Sequence, residues 1–339
     1  VSSPHSSNRA GGLGLLGQAI LAEQRLDEAW ETRLAAWERP ASPTEEAQIE
    51  RAARMVREAV AANAWLTREG VTVEPQGSYF NNTNVRLEAD MDLRVVHPSI
   101  RVLVDDALPA ANDHVARGAY TFTGRSNFEV AAELRHHVGV ALAAKFGRDN
   151  IDPGTKAFRV SSVPGSRADI DIVPALTLDF VTLCAGQTLL SPNFIGPVKG
   201  VAIFGTDGRE TINFPHHHYR FGVAKRARTG RAFKKIVRQM KSLRDELVAT
   251  KQLARGTCPS FLIECLAYRV EDEHYGVAEG RRARLKRILN RSWVQVSDPA
   301  WTVTAREIND HKRLFGTHQP WTPQDARTFI ALAVGALDR

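Results

Sequence analysis

Apolar residues recur at helical spacing over residues 15–37, which predicts an opening helix. A second helix is announced by Ser42-Pro43-Thr44-Glu45, where a serine N-cap, a proline at the first helical position and a glutamate three residues on form a capping box. Its apolar stripe continues to about Leu66. Alternation then takes over: Val71-Thr72-Val73 leads into a turn at Gly77-Ser78, and residues 86–96 read as a strand. A second capping box, Ser126-Asn127-Phe128-Glu129, starts a helix that reaches about Phe146. Residues 156–163, 169–173 and 178–183 read as strands separated by short breaks. Beyond about Leu190 two short strands, 201–204 and 210–214, bracket a Thr206-Asp207-Gly208 turn, and the chain is then mostly helical, over 229–249, 260–270, 281–289 and 323–337. This order predicts an α+β fold: a flexible tail (1–14), opening helices and a catalytic core (15–190), and a mainly helical C-terminal lobe (191–339).

Composition narrows the class. Of 339 residues, 43% are hydrophobic and 24% charged, the balance of an ordinary globular protein. No apolar run approaches the length that spans a bilayer and no secretory signal opens the chain, so no membrane role is expected. Cys184, Cys258 and Cys265 are far apart, which argues against a disulfide framework or thiolate zinc site and fits a cytoplasmic protein. A net charge of +7 points to a polyanionic partner, either nucleic acid or nucleoside triphosphates.

The most informative stretch runs from Gly77-Ser78 to Asp90-Met91-Asp92-Leu93. On a strand, Glu88, Asp90 and Asp92 share one face while Met91, Leu93 and Val95 share the other. Adjacent aspartates repel unless a cation sits between them, and hard divalent cations take carboxylate and phosphate oxygens. The Gly77-Ser78 turn offers backbone N–H groups and a hydroxyl to a polyphosphate. A second acidic strand, Ala168-Asp169-Ile170-Asp171-Ile172-Val173-Pro174, repeats the pattern. A third carboxylate permits two metal ions, and Asp171, deeper toward the strand end, is the candidate, with Asp169 the alternative.

Together, Gly77-Ser78, Asp90-x-Asp92 and Asp171-Ile172-Val173-Pro174 resemble the polymerase-β-like nucleotidyltransferases. The longer run from Gln76 through Thr83-Asn84-Val85-Arg86 resembles the bacterial cGAS/DncV-like group, the CD-NTases. Ile212-Asn213-Phe214-Pro215, His218-Tyr219, Gly222-Val223-Ala224-Lys225, the run from Thr229 to Lys234, the run from Val237 to Arg244 and Ser260-Phe261-Leu262-Ile263-Glu264-Cys265-Leu266 resemble its CdnE branch. The resemblance implies a bilobed enzyme, a mixed-sheet nucleotidyltransferase core fused to a helical lobe. It implies a cyclic di- or trinucleotide synthase of anti-phage signalling (CBASS) with Asp90, Asp92 and Asp171 as catalytic metal ligands. Two Mg²⁺ ions, replaceable by Mn²⁺, are the implied cofactors. ATP and GTP are the expected substrates, with UTP as an alternative. The product is expected to act on a separate effector protein, and the enzyme to work as a monomer without an obligatory nucleic-acid activator. In this branch the residues before the third-aspartate strand influence base choice; here they read Ser161-Ser162-Val163-Pro164-Gly165-Ser166, without an asparagine, which favours purines.

In the helix from Thr229, Phe233, Ile236, Val237, Met240 and Leu243 form the apolar stripe. Lys234, Arg238 and Lys241, at i, i+4 and i+7, fall on another face, suited to a triphosphate. The resemblance assigns donor-triphosphate contacts to Lys241 and Ser260. His216-His217-His218 is not expected to bind metal, because consecutive residues of an extended segment point to alternating sides. Trp293, Trp301 and Trp321 are expected to pack in the core or lobe.

Overall fold

The structure, a computed structural model, describes residues 9–85, 91–105, 118, 120, 124–182, 197–276 and 279–339, with the backbone alone for 9–16. Asp90 and the rest of 86–90 in the strand expected over 86–96, Cys184 and residues 1–8 of the expected tail lie outside them, whereas residues 9–14 of that tail are helical and extend the opening helix. In chain order the elements are α1 (Arg9–Trp37), α2 (Pro43–Ala62), α3 (Ala64–Arg68), β1 (Thr72–Gln76), α4 (Gly77–Phe80), β2 (Met91–Val104), α5 (Asn127–Phe146), β3 (Ile151–Pro153), β4 (Phe158–Val160), β5 (Ile170–Val181), β6 (Val198–Phe204) and β7 (Glu210–Asn213). Helices follow: α6 (Pro215–Arg228), α7 (Ala232–Ala249), α8 (Ser260–Arg269), α9 (Arg281–Ser297), α10 (Pro299–Thr304) and α11 (Pro323–Leu337). Among the described residues no helix is long and apolar enough to cross a membrane.

Both capping boxes form as read: Ser42 and Ser126 accept from the third helical N–H, and Glu45 and Glu129 bond back to the cap. The second helix ends at Ala62 rather than Leu66 because the Asn63 side chain caps a new turn, accepting from Trp65 and Leu66 N–H.

The chain divides into two units: Pro40–Phe221, and the segment ending at Arg39 together with Gly222–Arg339. Among its described residues the first holds a seven-stranded mixed sheet ordered β1-β2-β5-β4-β3, with β6 joined to β5 and β7 to β6. Among the described residues only β2 and β5 run parallel. Its core gathers Leu93, Val95, Ile170 and Ile172 of the sheet with Ile49 and Val56 of α2 and Leu134 and Val138 of α5. The expected boundary near Leu190 is displaced, since β6 pairs with β5 from Leu176 to Phe180 and so belongs to the sheet.

The break expected within 173–178 is absent; β5 runs through Pro174. Proline lacks an amide hydrogen and interrupts a ladder. Here β4 pairs β5 only at Ile170 to Ile172 and β6 only from Leu176, so Pro174 sits in the gap between two antiparallel neighbours.

The second unit is helical, and α1 belongs to it. Glu23, Asp27 and Glu31 of α1 and Glu38 just past its end pair with Arg281, Arg282 and Arg284 of α9, an acidic ladder against a basic helix start. Trp321 is buried against Phe261 and Trp301 lies near Phe315, whereas Trp293 is exposed.

Candidate active site

The β2–β5 register sets Asp92 directly beside Asp171. Neighbouring strands lie about 4.8 Å apart, and paired residues project from the same face. Gln76 of β1 flanks Asp92, and Arg159 of β4 flanks Asp171, so one polar row crosses four strands: Gln76, Asp92, Asp171, Arg159. The residues between them, Met91, Leu93, Ile170 and Ile172, are buried on the opposite face, as alternation requires. Gln76, Asp92 and Asp171 are half-buried and Arg159 is exposed.

Gly77 makes the turn beside this row. Its φ is +72°, in the left-handed region, and a Cβ placed on it would lie 1.7 Å from an Asp92 carboxylate oxygen. Both conditions demand glycine. The Asp92 carboxylate therefore lies against the backbone of the turn. Ser78 follows in α4, a single turn, and its carbonyl accepts from Thr83 N–H at 2.9 Å. Carboxylate oxygens at this density, with a backbone cradle for phosphate beside them, fit hard divalent cations. No group of three or more His, Cys, Asp or Glu residues among those described has metal-binding geometry, and Asp90 lies outside that set.

Asp169 is placed differently. Its carboxylate accepts from Ser162 N–H at 2.7 Å and pairs with Arg159 at 3.3 Å, closing the hairpin that carries residues 161–166. Arg159 is thus a residue the sequence reading missed, visible only through strand pairing.

Beneath the row, Arg94 stands opposite Glu74, its Nε donating to the carboxylate at 2.9 Å. Burial opposes ionisation of Glu74, but the Arg94 guanidinium outweighs it and holds the carboxyl below its usual range.

The histidine run is helical, not extended, because it occupies the first turn of α6. Helix geometry turns successive side chains about 100° apart, and the three rings have separate surroundings. His216 meets Arg94 and Glu74, His217 lies near Phe214 and Phe221, and His218 is buried.

In the helical unit, α7 buries Phe233, Ile236, Val237, Met240 and Leu243 as expected. Lys234, Arg238 and Lys241 are buried as well, at 6%, 6% and 2% exposure, rather than forming a solvated face. Lys241 Nζ pairs with Glu264 at 2.5 Å, and Arg238 Nε donates to the Glu38 carbonyl at 2.9 Å. Burial pushes the Lys234 ammonium down to about 8; nearby Arg226 adds to the shift, Glu264 opposes it, and Arg238 adds further. Arg244 was also missed: it donates to the Ser260 hydroxyl at 3.1 Å and to the Cys258 carbonyl at 2.9 Å.

Residues 220–338 match the cGAS/DncV-like nucleotidyltransferase C-terminal helical domain. The chain is 33% identical over 308 residues to a cyclic dipyrimidine nucleotide synthase CdnE of Legionella pneumophila, covering 90% of this chain and 96% of that protein. It is 26% identical over 301 residues to a cyclic dipurine nucleotide synthase of Elizabethkingia meningoseptica, covering 88% and 95%. The solved structure of Elizabethkingia meningoseptica CdnE with GTP and Apcpp superposes with a TM-score of 0.69 at 25% identity, over 91% of this chain and 99% of that one. The chain belongs to the bacterial cGAS/DncV-like nucleotidyltransferases (CD-NTases), in their CdnE-like branch. It is a nucleotidyltransferase, a cyclic-nucleotide-forming enzyme of CBASS-like antiviral signalling, in a family that uses divalent metal ions.

Proposed function

We propose that the enzyme joins two or three nucleoside triphosphates into a ring, with Asp92 and Asp171, together with Asp90 from its sequence spacing, as the carboxylates of a site for two Mg²⁺ ions, replaceable by Mn²⁺. The observation that carries this reading is the placement of Asp92 beside Asp171 in parallel register, against the glycine-only turn at Gly77. When bound, the ions lower the pKa of the attacking hydroxyl and neutralise charge on the phosphates. The Gly77-Ser78 backbone and the Ser78 hydroxyl hold phosphate oxygens and align the α-phosphate. A ribose hydroxyl of the acceptor attacks that phosphorus in line, the bond to the bridging oxygen breaks, pyrophosphate leaves and the hydroxyl proton passes to solvent. A second round within the linear product closes the ring.

The helical unit carries its own set suited to a triphosphate, Lys234, Arg238, Lys241 and Ser260. For Lys241 and Ser260 that role requires an exchange of partners, since Glu264 and Arg244 engage them. The exposed 161–166 hairpin, with no asparagine, supports ATP and GTP as substrates over UTP. The Legionella and Elizabethkingia relatives are named for pyrimidine and purine products respectively, so base choice varies among proteins this similar. The product acts on a separate effector, and the enzyme works as a monomer without an obligatory nucleic-acid activator.

The test incubates the purified protein with Mg²⁺ and each labelled triphosphate, singly and mixed. A phosphatase-resistant product with the mass of a cyclic purine di- or trinucleotide is expected, and none from Asp92→Ala. An extended primer or a modified small acceptor would overturn cyclisation; a pyrimidine-only ring would overturn the base assignment alone.

A further inference from the structure

Within the sheet unit, the start of α6 contacts β1, α4 and β2 at two places about one helical turn apart. His216 Nε2 lies 3.0 Å from Arg94 Nη2 and 3.5 Å from Glu74 Oε2. Tyr219, three residues on, stacks on Phe80 with ring centroids 4.5 Å apart and an interplanar angle of 26°. Residues three apart share a helix face, so one face of α6 grips both contacts.

What it grips is specific. Phe80 is the last residue of α4, the turn that begins at Gly77-Ser78. Glu74 lies in β1, which runs directly into that turn, and Arg94 is two residues along β2 from Asp92, on the same face. Arg94 is buried to 1% exposure, and its Nη1 has no hydrogen-bond partner. A buried guanidinium with one unsatisfied nitrogen is a strained way to build a sheet if packing were its only purpose. Alongside it, the loop that closes the turn leaves Asn81 Oδ1 and Asn84 Nδ2 buried without partners. The polypeptide around the phosphate turn is therefore not held by its own local hydrogen bonds alone.

We propose that the first turn of α6 is a brace for the nucleotide site: His216, through Arg94 and Glu74, and Tyr219, through Phe80, are positioning residues that hold the Gly77-Ser78 turn against Asp92. This rests on the proposed role of that turn in binding phosphate. A side chain clamped at both ends of a turn restricts it before substrate arrives, and pre-organisation of this kind appears in KM and in local exchange rather than in global stability.

Hydrogen exchange of the nucleotide-free protein, read on the peptide spanning residues 76–84, tests the brace directly. Tyr219 is 40% exposed, so its truncation leaves no closed cavity. Tyr219→Ala and His216→Ala are expected to speed exchange of the amides of residues 78–83 and to raise KM for the triphosphate about ten- to hundredfold, with the melting temperature little changed. Tyr219→Phe, which keeps the ring, and His216→Gln, which keeps an acceptor, are expected to restore slow exchange and KM. Unchanged exchange in both alanine variants overturns the brace, as does failure of both conservative variants to restore it. The exchange measurement needs no turnover, so a wild type that forms no nucleotide product would sink the catalytic reading while leaving the brace decidable.

Discussion

On the sheet, Asp92 and Asp171 stand on the face opposite Met91, Leu93, Ile170 and Ile172, and alternation alone separates charge from core. On α7, Lys234, Arg238 and Lys241 are as buried as the apolar residues between them. Asp92 and Asp171 are half-buried on the face the core does not occupy, as the proposed chemistry requires. Helix α7 is covered over most of its surface, and its buried cations have partners supplied by other elements. Glu264 of α8 pairs with Lys241, and the carboxylate of Glu38, just past α1, acts electrostatically on Arg238. Equal charge patterns in sequence therefore take different forms in the two regions: a half-buried acidic pair on one face of the sheet, and buried cations held among other elements on the helix.

Removing one side of this contrast gives the largest expected effect. Asp171→Ala should lower the rate of pyrophosphate release at least about 10²–10³-fold, while thermal melts show the fold intact or slightly steadier, because one of two neighbouring like charges is gone. A melting temperature that collapses with activity would place Asp171 in the scaffold instead. Next in size is Glu264→Gln on the helical side. Taking the carboxylate from buried Lys241 should cost about 3–5 kcal/mol in urea unfolding, and Lys241→Met combined with Glu264→Leu should recover much of that loss.

Lys234 sharpens the comparison through pH. Its ammonium is pushed down to about 8, below the ordinary lysine value of 10.5. Between those values the unfolded chain holds a proton that the folded chain has released, so stability contributed by this group rises as pH rises through that window. Below it the buried charge is a steady penalty. Lys234→Met should therefore stabilise the protein at neutral pH and flatten the unfolding free energy between pH 8 and 10.5, measured by denaturant titration. The smallest effect is expected for Asp169→Asn, which weakens a half-exposed pair with Arg159 but keeps an acceptor for Ser162 N–H. Stability should change by less than about 1 kcal/mol, and activity far less than for Asp171→Ala.

Legibility in the sequence followed the strength of local signals. Ser42 and Ser126 announced their helices because a capping box is written in four consecutive residues. The Gly77 turn and the alternating aspartates were equally local. Helix α6 escaped because its buried residues, His218, Gly222 and Lys225, keep helical spacing but include no large apolar residue. Lys225 is tolerated there because it pairs with Asp272 and lies over the Tyr268 and Tyr275 rings. The continuity of β5 through Pro174 was hidden for a related reason: whether a missing N–H matters depends on where β4 stops and β6 starts.

By itself, the sequence determined the α+β order, the apolar faces, the glycine-serine turn and the identity of the candidate carboxylates, because each depends on neighbours within a few residues. Only the tertiary structure decided that Asp92 lies beside Asp171, that Asp169 is held by Arg159 and Ser162, and that the basic helix is interior. The first and last are set by contacts between residues tens to hundreds of positions apart, and the second by a hairpin whose pairing no run of consecutive residues spells out.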